Sequence, residues 1–318
     1  MSTRILGPRQ ARRARLRRRR RRRGLVAFFL AIAVLAGLVV AGAWPGRRTL
    51  APSADVPAEQ ATTAGTGEQD TLLLVRHGRD EGPALGVTLL AAQPRGRSTV
   101  LFIPVGTLVD IPGFGFDQLG LTFQYGGAAL LEASVENLLG VDVDHVASAS
   151  QSGLGALLGR TGGLELELDE RLVRRSRDGT GEVRFEPGTQ FLDGERLVEY
   201  WSFRQRDEQE VATFPRQQLV WATLLDSLDD EDVVDALVSD GAPQLQTSAE
   251  PRFLRSMLVM LARARGAEKM EFTLLPVTPF GSDGGSDDTY RATPEGIRRL
   301  AEGPLAPSVP TGGGAEAL

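Results

Sequence analysis

Ile103-Pro104-Val105-Gly106-Thr107-Leu108-Val109-Asp110-Ile111-Pro112-Gly113 is the stretch on which the reading of this chain turns. A strand ends in Ile-Pro and a turn closes on Ile-Pro-Gly, the frame of a loop that handles phosphate. Yet Val105 and Gly106 stand where a pyrophosphate or a metal would need charge. Short apolar runs flank the loop. Asp70–Val75, Val87–Ala92 and Thr99–Ile103 read as strands, and Asp144–Ala149, Leu164–Leu168 and Met270–Leu275 as further ones. Helical patterns alternate with them. Gly126-Gly127 opens a stretch with Leu130, Leu131, Val135, Leu138 and Leu139 on one face, stopped by Gly140. Asp193 is an N-cap for Gly194–Phe203, with Glu195 in the first turn. Pro215 starts a helix running to Leu228, and Phe253–Ala264 is helical by period. The pattern is that of one mixed α/β domain.

Composition narrows the chemistry. The 318 residues hold no cysteine, which excludes disulfides, thiolate metal sites and cysteine nucleophiles. His77 and His145 are the only histidines, so multi-histidine metal sites are excluded as well. The net charge of −5 hides a split: residues 1–23 carry twelve arginines and no acid, and removing those twelve charges leaves −17 on the rest.

The arginine arm adjoins Gly24–Trp44, an uncharged apolar run close to the ~20 residues a helix needs to cross a bilayer. The positive-inside rule keeps residues 1–23 in the cytoplasm and places everything after Trp44 outside. That makes the protein a single-pass plasma-membrane protein with an extracytoplasmic main domain. The alternative is a cleaved signal peptide, since Ala41-Gly42-Ala43 has the small-residue spacing of a cleavage site. No nucleic-acid partner is expected, because the neighbouring span already explains the arginine block. Residues 45–69 read as a flexible linker, 70–278 as the folded domain, and 279–318 as a loop, a short helix and a disordered tail.

Several strings fall in one order. Asp70-Thr71-Leu72-Leu73-Leu74 is followed by Phe102-Ile103-Pro104, Ile111-Pro112-Gly113 and Tyr125-Gly126-Gly127. Then come Val135–Val141, Val143-Asp144-His145, Gly162-Gly163, Leu192-Asp193-Gly194-Glu195 with Tyr200, and Arg216-Gln217-Gln218. This ordered set resembles the LytR-CpsA-Psr family over about residues 69–228, with a compatible part to about 278. The resemblance implies a three-layer α-β-α fold behind a single N-terminal transmembrane helix. It also implies an apolar tunnel for a prenyl chain, arginines on a pyrophosphate, and aspartates holding magnesium. The family's activity is transfer of a glycopolymer from polyprenyl pyrophosphate to peptidoglycan.

Carried over position by position, much of that charge is missing. The family's Arg-x-Asp-Thr becomes Glu68-Gln69-Asp70-Thr71, and its Pro-Arg-Asp-Thr becomes Pro104-Val105-Gly106-Thr107. A family lysine aligns with Gln118. An Arg-x-Arg becomes Ser202-Phe203-Arg204, and a Gly-Asp-Phe-Gly-Arg becomes Gln209-Glu210-Val211-Ala212-Thr213. What remains is Asp70 and Glu210 as catalytic carboxylates, Asp70 as the magnesium ligand, and Arg204, Arg216 and Gln217 for the pyrophosphate. We therefore expect a degenerate member that binds polyprenyl-phosphate lipid or cell-wall glycopolymer at the membrane, or regulates its attachment beside an active paralogue. An active transferase rebuilt from Asp70, Glu210, Arg204 and Arg216 is the alternative. A histidine phosphatase, suggested by Leu74-Val75-Arg76-His77-Gly78, is the remote one. Arg171, Arg174, Arg175 and Arg177 read as a solvated turn, Asp283, Asp287 and Asp288 as plain loop, and Trp201 and Trp221 as core.

Overall fold

The computed structural model describes residues 69–78, 82–94, 96–176, 179–238, 245–281 and 288–306. The arginine arm, the expected span 24–44, the linker through Glu68, Arg177, Asp283, Asp287 and the tail after residue 306 lie outside the described residues. Among the described residues, no helix is long and apolar enough to cross a membrane.

In chain order, β1 (Asp70–His77), β2 (Ala84–Ala92) and β3 (Ser98–Ile103) lead into a small hairpin, β4 (Leu108–Ile111) and β5 (Gly115–Gln118). Helix α1 (Leu119–Leu139), β6 (His145–Ser150) and α2 (Gln151–Leu158) follow. Next come β7 (Leu164–Leu168), β8 (Leu172–Arg175), β9 (Gly181–Phe185), β10 (Gly188–Leu192) and α3 (Gly194–Ser202). A 3₁₀ turn at Glu210–Thr213 precedes α4 (Phe214–Ser227), α5 (Glu231–Val238), β11 (Gln246–Thr247) and α6 (Pro251–Gly266). The order closes with β12 (Met270–Leu274), β13 (Val277–Pro279), β14 (Tyr290–Ala292) and α7 (Pro294–Glu302).

Six strands form the central sheet in the order β11-β6-β1-β2-β3-β12. The β1–β6 and β3–β12 pairs are parallel, while β1–β2 and β2–β3 are antiparallel. Period-two alternation divides the strand residues between the two faces. Leu72, Leu90, Val100 and Phe102 join one core cluster, beneath α2 to α6. Leu73, Val75, Leu89, Leu101 and Ile103 join the other, beneath α1 and α7. Because both faces are covered, these strands read as continuous apolar runs. The architecture is the expected three-layer α-β-α arrangement.

Local capping follows the sequence. Asp193 accepts from Arg196 N at 2.9 Å, and Gly140 ends α1 in the left-handed region at φ 68°. One boundary differs from expectation. A first helical segment begins at Leu119, ahead of the expected one; Gly126 and Gly127 are non-helical, so the second segment opens after the glycine pair as expected, with Gly127 at φ 67°, ψ −157°. The domain also extends beyond residue 278. Leu300 and Leu305 enter the core with Leu275, while Ala306 O and Pro304 O accept from Gln93 and Thr99 side chains.

Candidate functional site

The carboxyl ends of β1, β3, β6 and β12 converge with the start of β2 at one edge of the sheet. The registers place His77 beside Ser150, Val87 beside Ile103 and Leu274 beside Phe102. Open α/β sheets hold ligands outside the carboxyl ends of their strands, and a polar cleft lies there. Arg76, Gly86, Pro104, Val105, Gln151, Ser202, Arg204, Glu210, Thr213 and Gln217 line it. Behind it, an apolar chamber runs under β1 between the sheet and helices α2 to α6. Its wall is built from side chains such as Leu72, Leu90, Ala147, Leu158, Trp221, Leu224 and Met257. Arg76, Gly86 and Gln217 border both spaces, so they form the neck between chamber and cleft.

Glu210 organises the cleft floor. Its carboxylate accepts from Val105 N at 2.7 Å and Gly106 N at 3.2 Å, pinning the loop quoted at the outset. Burial pushes its pKa up, and those two N–H donations pull against the shift. Asp288 holds Glu210 from behind. It accepts from Glu210 N at 2.9 Å, Tyr290 OH at 2.9 Å and Arg204 at 2.5 Å. Burial works against the Asp288 carboxylate, but these donations hold its pKa below the usual range.

Segment 288–290 also explains why position 106 is glycine. Tyr290 N donates to Gly106 O, and Thr107 bridges to Tyr290. A Cβ on Gly106 would overlap the carbonyl oxygen of Asp288. Backbone therefore fills the space where the resemblance implies an aspartate. Gln118 is held by the same segment, donating to Thr289 Oγ1 at 2.9 Å. Ser202 donates to Val198 O, and Thr213 donates to Glu210 O while accepting from Gln217. The substituted positions thus bond to backbone and to neighbouring side chains.

Several expected site residues stand elsewhere. Asp70 pairs with Ala92 at the opposite end of β1, whereas Arg76 pairs with Gly86 at the cleft. The two are six positions apart along the strand, about 20 Å. Asp70 therefore does not join Glu210, which corrects its assignment as catalytic and metal-binding. An Asp-Thr pair at a strand start has a local use that mimics the motif: here Thr71 exchanges hydrogen bonds with Asp144. Arg216 is buried away from the cleft, bonded to Glu170 at 2.6 Å, Glu208 at 2.5 Å and Phe203 O at 3.0 Å. Arg204 does line the cleft, but Asp288 and Glu208 O take its Nη2. Of the expected set, Glu210, Arg204 and Gln217 come together.

A magnesium site does not fit these residues. Both Glu210 oxygens accept backbone N–H groups, and both Asp288 oxygens are engaged. Among the described residues, no group of three or more His, Asp or Glu side chains is arranged to hold a metal. Nor do the histidines meet. His77 stacks on Phe123 at the cleft end of β1, while His145 pairs with Leu72 and packs on Phe253. The two-histidine pocket of a phosphatase is therefore not formed. Arg76 in the cleft, and Asp288 and Tyr290 behind Glu210, are residues that sequence reasoning missed. Asp288 lies in a Gly/Ser-rich stretch without a motif, and Arg76 was visible only within the phosphatase-like string.

The LytR_cpsA_psr family model matches residues 87–293, most of the described domain. The chain belongs to the LytR_cpsA_psr family. The match runs from β2 through β14. TagT of Bacillus subtilis, a polyisoprenyl-teichoic acid–peptidoglycan teichoic acid transferase, is 25% identical over 57% of this chain and 58% of its own length. TagU of Enterococcus faecalis, a transferase of the same description, is 35% identical over 41% of this chain and 42% of its own. The chain spans about half the length of these curated relatives. Among solved structures, B. subtilis TagV superposes with a TM-score of 0.61 at 14% identity, covering 75% of this chain and 96% of TagV. TagT bound to LI-WTA gives 0.57 at 17% identity, covering 74% of this chain and 88% of that one. These likenesses establish the fold of this LytR_cpsA_psr member.

Proposed function

We propose that this LytR_cpsA_psr protein is anchored in the plasma membrane by Gly24–Trp44, with its domain on the outer face. There it binds polyprenyl-linked cell-wall glycopolymer, or regulates its attachment, without carrying out the phosphotransfer itself. One observation supports the reading above the others. An apolar chamber opens through a narrow neck into a polar cleft whose carboxylates are already committed. A chamber of this kind suits a prenyl tail, since burying each CH₂ is worth about 0.8 kcal/mol. Phosphotransfer from pyrophosphate, by contrast, requires several cations and usually a metal to meet the charge that develops. Here Arg204 and Arg216 are paired, and position 106 cannot take a side chain. An active relative in the same envelope would supply the chemistry.

Purification of the full chain in detergent, followed by mass spectrometry of its extracted lipid, tests this reading. We expect a polyprenyl-phosphate lipid whose retention survives EDTA. Metal-dependent transfer of glycopolymer to peptidoglycan by the purified protein would refute it.

A further inference from the structure

The neck between chamber and cleft holds a cation, Arg76, that forms no ion pair among the described residues. Arg76 donates from Nη2 to Leu85 O at 2.5 Å, using one of the five N–H donors of its guanidinium. Its Nε is buried and has no hydrogen-bond partner. No carboxylate forms an ion pair with it among the described residues; Glu210, the acid acting on it from across the cleft, is tied to Val105 N and Gly106 N. Burial lowers the Arg76 pKa to about 10, so the group is still charged at neutral pH.

Leaving a guanidinium enclosed without an anion costs several kcal/mol. Two features nevertheless keep it in place. Gly86 faces Arg76 across the β1–β2 ladder, and a Cβ there would lie 3.1 Å from Nη2 and 3.2 Å from Nε. The missing side chain is thus the space in which the guanidinium rests. Arg76 also borders both the apolar chamber and the polar cleft, as Gln217 does. An anion carrying an apolar tail would complete this arrangement, its tail in the chamber and its head on Arg76.

We propose that Arg76 is the anion-binding residue of this protein, and that it selects a single phosphate head on an apolar tail without a divalent cation. One guanidinium without an ion pair among the described residues, with the neutral Gln217 amide on the same neck, matches one phosphate group. Among the described residues, the committed oxygens of Glu210 and Asp288 leave no carboxylate set through which a metal could bridge a second. The proposal rests on the reading of the chamber as a site for a lipid tail.

The test uses the full chain in detergent and two probes, geranylgeranyl monophosphate and the neutral alcohol geranylgeraniol, each titrated with EDTA and again with Mg²⁺. Wild type should bind both and prefer the phosphate by about ten-fold or more, since a charge-assisted hydrogen bond is worth roughly 1.5–3 kcal/mol. Magnesium should leave that preference unchanged. Arg76→Gln should abolish the preference while retaining alcohol binding. Gly86→Ala keeps the charge but crowds the guanidinium, and it should reduce the preference with a thermal midpoint near wild type. A preference that survives Arg76→Gln, or that needs magnesium, overturns the proposal while the lipid chamber stands. Failure of both probes to bind overturns the chamber reading and the proposal with it.

Discussion

Replacing Arg216 with alanine separates a structural arginine from a ligand-binding one. The Arg216 side chain is 4% exposed, and its partner Glu208 is 15% exposed. Glu170, at 49%, is open to water, so its pairing adds little. Removing the guanidinium strands the Glu208 carboxylate with one remaining donor, Gln205 N, and leaves Phe203 O without its side-chain donor. Breaking a buried pair from one side costs about 3–5 kcal/mol, and the partial exposure of Glu208 places this case near the lower end. In a body of this size each kcal/mol shifts the midpoint by about 2–4 °C, so Arg216→Ala should unfold roughly 6–12 °C earlier. Intrinsic fluorescence reports the transition well, because Trp221 lies on the same helix and packs edge-on against Trp201. Arg216→Met with Glu208→Gln should recover most of the loss, since no buried charge is then left alone. An Arg216→Ala midpoint within about 1 °C of wild type, together with lost phosphate-lipid binding, would refute the argument and return Arg216 to the ligand site.

Three further outcomes follow from the cleft and the chamber. Gly106→Ala should lower stability by more than about 2 kcal/mol, because the new Cβ meets the Asp288 backbone rather than a side chain that can turn away; a midpoint equal to wild type would show that segment 288–290 yields easily. Glu210 has a folded pKa above its unfolded one, so its contribution to stability is present below the unfolded pKa and lost as pH rises through the folded value. The midpoint of wild type relative to Glu210→Gln should therefore increase as pH falls from 7 towards 4, and a flat or opposite trend would contradict the burial argument. Ala147→Phe should fill part of the apolar chamber and cut the amount of co-purified lipid, with a stability change within about 1.5 kcal/mol; undiminished lipid would mean that the tail lies elsewhere.

Much of the architecture was legible because it depends on local physics. Strand runs at 70–75, 87–92 and 99–103, the Asp193 cap and the Gly140 stop each reflect a few neighbouring residues and a fixed periodicity. The limits of α1 were harder to read. Gly126-Gly127 does open the segment that carries Leu130 to Leu139, but the helical turns before it, from Leu119, have no comparable start signal. The C-terminal boundary was misjudged for a related reason: Leu300 and Leu305 are too few to announce a core, and they belong to one already built by β1, β2 and β3.

By itself, the sequence determined the α/β class, the family and the loss of charge at Val105 and Gly106. These are properties of residue type, order and spacing along one dimension. Only the tertiary structure decided which charges share a cleft. Asp70 and Arg76 sit six residues apart on one strand, yet they face opposite ends of the sheet. Asp288 lies 78 residues from Glu210, yet its carboxylate accepts from Glu210 N and supports the floor of the cleft from behind. A charged side chain acts over a few ångströms, and strand pairing determines that distance between residues far apart in the chain. Whether an arginine is spent on a neighbour, as Arg216 is, or left open at a neck, as Arg76 is, follows from that pairing and not from its place in a motif.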